Sequence, residues 1–311
     1  SESRGLGDVY KRQVNSGLKK EEHISEVELG KYYGDLESNT LRVIFNEELL
    51  HPFQPYNAEA TANQLAYFET VFGAPIKLDT YDQIWQWKEF FTLLNMIISF
   101  WLLIPLTRTL LKVNFFKTLI KPIPEALPVQ NRAGKTIFWS IFFVSAGIAC
   151  VTFIPLVEVA KTLFPEAATR QLTWFFPQRM NNSVMLWALL NGSIGILLFF
   201  VTYYFFGKKH GVKINSWGLE LSFKDIYKTI LLSLIIFIVY FSLLFLIYFL
   251  FHIDYRFWFM GVRIFQPEML LVLAMYFPFF FVFFFSNSLR VNGGMRFKNQ
   301  PEWLSRLIAG F

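Results

Sequence analysis

The side chains best placed to do chemistry lie within residues 14–80. Histidine is the side chain whose ordinary pKa falls near neutrality, so it is the usual base for activating a hydroxyl nucleophile. The chain has four: His23, His51, His210 and His252. His51 opens a loop rich in proline, His51-Pro-Phe-Gln-Pro-Tyr56, and the acids Glu21 and Glu22 lie upstream of it. An acid of that kind fixes the tautomer of a base and stabilises its imidazolium. From position alone, His51 reads as an ordinary loop histidine rather than a base. His23, His210 and His252 have no metal-ligand spacing with the single cysteine, Cys150, or with carboxylates, so no metal is expected. His210 stands beside Lys208 and Lys209 and reads as part of a basic loop. There is no glycine-rich phosphate loop, and no cofactor is expected. No G-x-S-x-G nucleophile elbow occurs either. Asn191-Gly-Ser-Ile-Gly195 lacks its spacing and lies inside an apolar run.

The elements that would position His51 follow from local patterning. Thr40-Leu-Arg-Val-Ile-Phe45 predicts a strand with Leu41, Val43 and Phe45 on one face, after the turn-rich stretch Gly34-Asp-Leu-Glu-Ser-Asn39. A loop then runs from Asn46 to Tyr56. Asn57 is a good N-cap, and Ala58–Phe72 predicts an amphipathic helix with Ala58, Leu65, Phe68 and Phe72 on one face. Gly73 supplies its stop and Pro75 prevents continuation. The order is strand, histidine loop, helix.

That order, with Tyr33-Gly-Asp-Leu-Glu-Ser-Asn-Thr-Leu-Arg-Val-Ile-Phe45, Leu50-His-Pro-Phe53, Ala60-Thr61 and Tyr67-Phe68, resembles the end of an α/β-hydrolase domain. In particular it is similar to bacterial membrane proteins that fuse a dienelactone-hydrolase-like serine hydrolase domain to a helical region of several spans. The membrane entry Gln83-Ile-Trp-Gln-Trp-Lys-Glu-Phe-Phe91 fits that group too. The resemblance covers residues 16–311, with specific wording mainly in 33–110. It implies a triad in the chain order Ser, Asp or Glu, His. His51 takes the place of the histidine after the last strand, and Glu22 or Glu21 that of the acid. The nucleophile and most of the sheet would then lie upstream, and these residues alone would be inactive. The implied reaction is hydrolysis of an ester or amide through an acyl-enzyme, on a small-molecule or peptide substrate.

Residues beyond 80 have another character. The chain is 54% hydrophobic with 38 Phe and a mean hydropathy of +0.38, and the excess is concentrated between residues 90 and 285. A helix needs about 20 apolar residues to cross the hydrocarbon core. Five windows qualify: 90–111, 136–159, 184–206, 229–251 and 269–285, the last interrupted by Pro278. Lipid leaves backbone groups no external partner, so the spans must be helices. The expected fold class is mainly α. A polytopic membrane region, 81–311, follows the remnant of an α/β-hydrolase domain, 14–80. The opening 1–13, SESRGLGDVYKRQ, reads as a non-native leader resembling adapter read-through, or as a disordered native one. The chain reads as a fragment cut at both ends.

The net charge of +6 does not indicate a nucleic-acid partner, because the basic residues cluster between apolar runs. Arg108, Lys112, Lys117, Lys121, Arg132 and Lys135 flank the first connection. Lys161, Arg170 and Arg179 flank the second. Lys208, Lys209, Lys213, Lys224 and Lys228 belong to the third, Arg256 and Arg263 to the fourth. Arg290, Arg296, Lys298 and Arg306 lie in the tail. By the positive-inside rule the first and third connections and the tail are cytoplasmic, and the segment before Phe90 is outside a plasma membrane. Trp85 and Trp87 would anchor at the outer interface. Ser222-Phe-Lys-Asp225 resembles a capping box opening the fourth helix.

Polar residues in or near the spans, Asn95, Asn191, Glu158 and Lys161, suit either a solute path or interhelical and interfacial bonding, and Glu158 and Lys161 can pair at i,i+3. Ala188-Leu-Leu-Asn-Gly192 is a small-xxx-small pattern permitting close helix contact. Beside the hydrolase reading stand two others: a transport or sensing protein with a degenerate hydrolase domain, and a membrane anchor only. In all three the lipid bilayer is a partner.

Overall fold

The computed structural model describes residues 2–74, 78–123, 125–128, 131–219, 221–258, 260–298, 300–301, 303–304 and 307. Pro75 and Arg306, read above as a helix stop and a tail charge, lie outside the described residues. The chain is 66% helical, and a two-stranded hairpin is the sole sheet among the described residues. Among the described residues eight α-helices follow in order: α1 Glu2–Asn15, α2 Ala58–Phe72, α3 Trp85–Leu110, α4 Arg132–Leu163, the single turn α5 Pro165–Ala168, α6 Arg179–Thr202, α7 Phe223–Phe251 and α8 Met269–Leu289. Strands β1 Tyr255–Phe257 and β2 Met260–Val262 lie between α7 and α8, paired antiparallel with Tyr255 opposite Val262. Five helices, α3, α4, α6, α7 and α8, are long and apolar enough to cross a membrane, which makes this a multi-pass membrane protein. They contain the five apolar windows, except that α3 ends at Leu110, one residue short of its window, and α6 gives way after Thr202 to a π-helical turn, Tyr203–Gly207.

The chain divides into two compact units. The first contains Ser1–Ile104 and Tyr240–Ile264. Its core is Tyr240, Leu244 and Tyr255, with Leu103 and Val262 packed on them. The Ser99 and Tyr240 hydroxyls bond at 3.0 Å, tying α3 to α7. Between α1 and α2 the backbone is mostly irregular. The expected strand 40–45 is not formed: only Arg42 pairs, in an isolated bridge with Tyr33. A strand is stable only beside a partner, and among the described residues no sheet receives this one. Helix α2 begins and ends where the sequence places it. Asn57 accepts from the Ala60 N–H at 2.9 Å, and Gly73 terminates the helix at φ +73°, where a side chain would be strained. Its expected apolar face is uncovered, however, with Leu65, Phe68 and Phe72 exposed and Ala62 its one buried residue. In the opening segment, Glu2–Asn15 is a regular helix, with Gly7–Val9, Arg12 and Gln13 exposed and Val14 buried.

The second unit contains Pro105–Val239 and Phe265–Phe311. Helix α6 packs on both α4 and α8. The small-xxx-small pattern explains the second contact: Ala188 is 1% exposed, and a Cβ added at Gly192 would stand 2.7 Å from the Phe283 Cα of α8. Towards α4, the Trp187 indole donates to the Ala149 carbonyl at 2.8 Å. At one end, Phe176, Met185 and Tyr276 form a core cluster. There Asn182 donates to the Phe176 carbonyl at 2.8 Å and accepts from the Tyr276 hydroxyl. The capping box forms at the start of α7: Asp225 accepts from the Ser222 N–H, and Ser222 Oγ from the Asp225 N–H, both at 3.2 Å.

Within each unit, particular connections come together. In the second, Lys121 of the first connection pairs with Asp225 beyond the third at 2.7 Å. Asn131 meets His210 at 3.4 Å, and Leu127 exchanges backbone bonds with Arg296 and Lys298 of the tail. In the first, Phe53 and Tyr56 meet Trp258 of the fourth connection.

A Gly192→Ala variant is expected to lose about 1–3 kcal/mol through overpacking against α8. Gly147→Ala, whose added Cβ meets nothing within 4 Å, is expected to stay within about 1 kcal/mol of the parent. Thermal unfolding of both in detergent checks this, and equal stability would contradict the close contact.

Candidate functional site

His51 stands at the start of a 3-10 turn, His51–Tyr56, rather than in an open loop. Pro52 and Pro55 fix φ at two of its six positions, which restricts the backbone to such turns. Leu50 accepts from the Phe53 N–H at 2.9 Å and Gln54 from the Asn57 N–H at 3.3 Å, so the turn runs directly into the cap of α2. Aromatic contacts hold it. The Phe53 ring meets Trp258 edge-on at 5.5 Å and Tyr56 stacks on it at 5.5 Å. Tyr56 also leans on Trp85 at 6.2 Å. Trp258 is fixed in turn by its backbone N–H, which donates to the Glu89 carboxylate at 3.2 Å; Glu89 is 8% exposed. Beneath it, burial pushes the Tyr255 phenol above its ordinary range.

The His51 ring itself is exposed. Among the described residues it has no hydrogen bond or ion pair to a carboxylate, and no serine hydroxyl bonds to it. Glu21 and Glu22 are exposed on their own short turn, Lys20–Glu22, and neither pairs with His51. The three candidate residues are thus not brought into contact. No group of three His, Cys, Asp or Glu suited to a metal occurs among the described residues. The surface histidine has the chemistry of a base but no nucleophile to act on within these residues.

The polar residues of the spans divide. Glu158 and Lys161 pair at 2.7 Å on an exposed helix end, an interfacial arrangement. Asn95 is half-buried. Asn191 donates to the Trp187 carbonyl one turn back, which satisfies its amide within α6, and it lines a cavity of about 770 Å³ in the second unit. Much of the cavity's lining is apolar, including Ile141 and Phe142 of α4, Ile194 and Leu198 of α6 and Phe283 of α8, with Ser145, Asn191 and Ser286 among them. Its other part is polar, lined by Asn131, Tyr203, His210, Asn287 and Arg290. The His210 Nδ1 donates to the Phe206 carbonyl at 2.9 Å, which directs Nε2 towards Asn131. Arg290 donates to Asn287 Oδ1 at 3.0 Å.

Sequence reasoning treated His210 as a plain basic loop residue and Arg290 as a tail charge. The signal that distinguishes them is spacing: each falls where a span ends, beside small or aromatic residues that let another segment approach. Trp258 carried no signal beyond membership of an aromatic run. No family model, curated protein or solved structure matches this chain.

Trp258→Ala removes two ring contacts of the His51 turn, each worth about 0.5–1.5 kcal/mol. Hydrogen exchange of the amides at 53–57 is expected to quicken by about tenfold. Unchanged exchange there would contradict the anchoring role given to Trp258.

Proposed function

We propose that the chain is the C-terminal part of a membrane-anchored serine hydrolase, acting on an ester or amide outside the membrane, with the serine supplied by a part of the protein upstream of these residues. The observation that carries this reading is the uncovered apolar face of α2. Leu65, Phe68 and Phe72 are exposed, the last to 78%. Exposed apolar patches of this kind mark surfaces that another element covers. The helix follows His51 directly, the order in which an α/β-hydrolase presents its histidine and final helix over the sheet. The segment 40–45, where the pattern calls for a strand, has only an isolated bridge at Arg42 and a backbone bond from Gly30 to Ile44, which suits the same missing sheet.

In that setting His51 accepts the proton of the serine hydroxyl as the oxygen attacks the substrate carbonyl. It returns the proton to the leaving alcohol or amine, and then activates water to release the acid and restore the serine. Glu22 or Glu21 would hold the other ring nitrogen. The soluble segment lies outside the plasma membrane and the tail inside. The alternating Lys/Arg content of the connections supports this orientation; the gathering of the first and third connections with the tail agrees with five spans in either sense. An odd number of spans, five, requires that grouping.

In the full-length protein, His51→Ala is expected to lower turnover by roughly 10⁴- to 10⁶-fold, with unfolding unchanged because the ring is exposed. A serine-directed fluorophosphonate should label the wild type. Full activity in the variant, or a folded wild type that takes no label, would overturn the assignment and favour a transport, sensing or anchoring role.

A further inference from the structure

We propose that the substrate is an amphiphile held in the bilayer, a long-chain acyl ester or amide that reaches His51 from the membrane surface. This rests on the hydrolase reading, which it narrows from esters and amides in general to those presented by lipid. The His51 turn is seated at the level where α3 enters the membrane. Glu89 comes one residue before the apolar window that opens at Phe90, so it marks the headgroup level. Its carboxylate accepts from the Trp258 N–H at 3.2 Å, and the Trp258 ring meets both Phe53 and Tyr56, each at 5.5 Å. Tyr56 also meets Trp85, the first residue of α3. A second tie lies beside it: Gln83 donates to the Ala58 carbonyl and accepts from the Trp85 indole, both at 2.9 Å. Tryptophan and tyrosine concentrate at such an interface because one end of each is apolar and the other wet.

His51 stands close to that level. A 3-10 helix rises about 2.0 Å per residue, so the turn from Tyr56 back to His51 covers at most about 10 Å. The headgroup layer is itself about 5–8 Å thick on each side. The His51 ring is exposed and open to a carbonyl at the outer edge of that layer. The surface around the turn is apolar as well. Leu50, the residue before His51, is 72% exposed, and Tyr81 and Ile84, which flank Gln83, are exposed, as is Trp87. Apolar patches of this kind mark membrane or partner surfaces, and beside a base they suit an acyl chain better than a dissolved solute. An acyl amphiphile keeps its chain in the hydrocarbon and its ester or amide carbonyl at the boundary with the headgroups. The serine oxygen bonds to the acyl carbon, the carbon–oxygen or carbon–nitrogen bond breaks, and His51 passes the serine proton to the leaving alcohol or amine. Water then releases the fatty acid and restores the serine.

The test uses the full-length protein in dioleoyl phosphatidylcholine vesicles and compares methylumbelliferyl oleate in the bilayer with methylumbelliferyl butyrate in water. The kcat/KM should favour the oleate by about tenfold or more, since transfer of its chain into lipid concentrates the ester beside His51. Leu50→Glu, at an exposed position, should lower that ratio about fivefold by setting a charge against the lipid. Placement is read separately in the 311-residue chain carrying Cys150→Ser. A bimane on His51→Cys should be quenched by a nitroxide on the lipid headgroup and less by one deep in the acyl chain. A folded full-length wild type that takes no fluorophosphonate label would remove the hydrolase reading and this one with it. A labelled protein that turns over the butyrate at least as well as the oleate would overturn the bilayer substrate alone. So would an unchanged ratio in folded Leu50→Glu, or a bimane at 51 that neither nitroxide quenches.

Discussion

Hydrocarbon offers backbone N–H and C=O groups no partner, and that constraint governs most of what this chain does after residue 84. Each of the five long apolar segments must satisfy its own backbone, so each is a helix of 21 residues or more. Irregular backbone is confined to the segments between them. The hairpin of Tyr255–Phe257 and Met260–Val262 lies between α7 and α8, and the two π-helical turns lie where α6 and α8 give way to polar segments. Side chains complete the ends: Asn131 caps α4 through the Gly134 N–H at 2.8 Å, and the Ser222–Asp225 box caps α7.

With the backbone satisfied, association of the helices needs another source, because lipid tails are as apolar as leucine. In the second unit it is close packing around α6. Gly192 and Gly195 let α8 approach, their added Cβ positions falling on Phe283 and Ser286. Bonds of Trp187 to Ala149, and of Asn182 to Phe176 and Tyr276, add polar links of about 0.6 kcal/mol each on average in membranes. Residues of α4, α6 and α8 also line the cavity of the second unit.

Patterns that depend on a short stretch of chain were legible in the sequence. The five spans follow from hydropathy alone. Asn57 and Gly73 bound α2 through contacts within four residues, and Ser222 with Asp225 does the same for α7. Features that depend on distant partners were not legible. Thr40–Phe45 has the alternation of a strand, but strand formation needs a continuous neighbour, and the segment finds only a bridge between Arg42 and Tyr33 and one bond from Gly30 to Ile44. The apolar face of α2 was legible as a pattern, yet nothing in the pattern says whether a sheet covers it. The site followed the same division. His51 was singled out by its residue type, by its place between a predicted strand and helix and by the resemblance, whereas the packing of Phe53 and Tyr56 on Trp258, far away in sequence, was invisible. His210 of the third connection and Arg290 of the tail line one cavity, a juxtaposition no local pattern shows.

The soluble segment and the membrane region are joined by topology, since a catalytic histidine is useful only on the side where its substrate lies. The proposed orientation puts His51 and Trp258 outside, with Lys208–His210 and the tail inside. The most direct test replaces Cys150, the only cysteine, with serine and introduces single cysteines at Gln171 and Lys209, one in the second connection and one in the third. In intact cells a membrane-impermeant maleimide should label the cysteine at 171 and leave the one at 209 unlabelled until the membrane is opened. Labelling at 209 with protection at 171 would reverse the orientation, and labelling of both from outside would contradict the five-span arrangement itself.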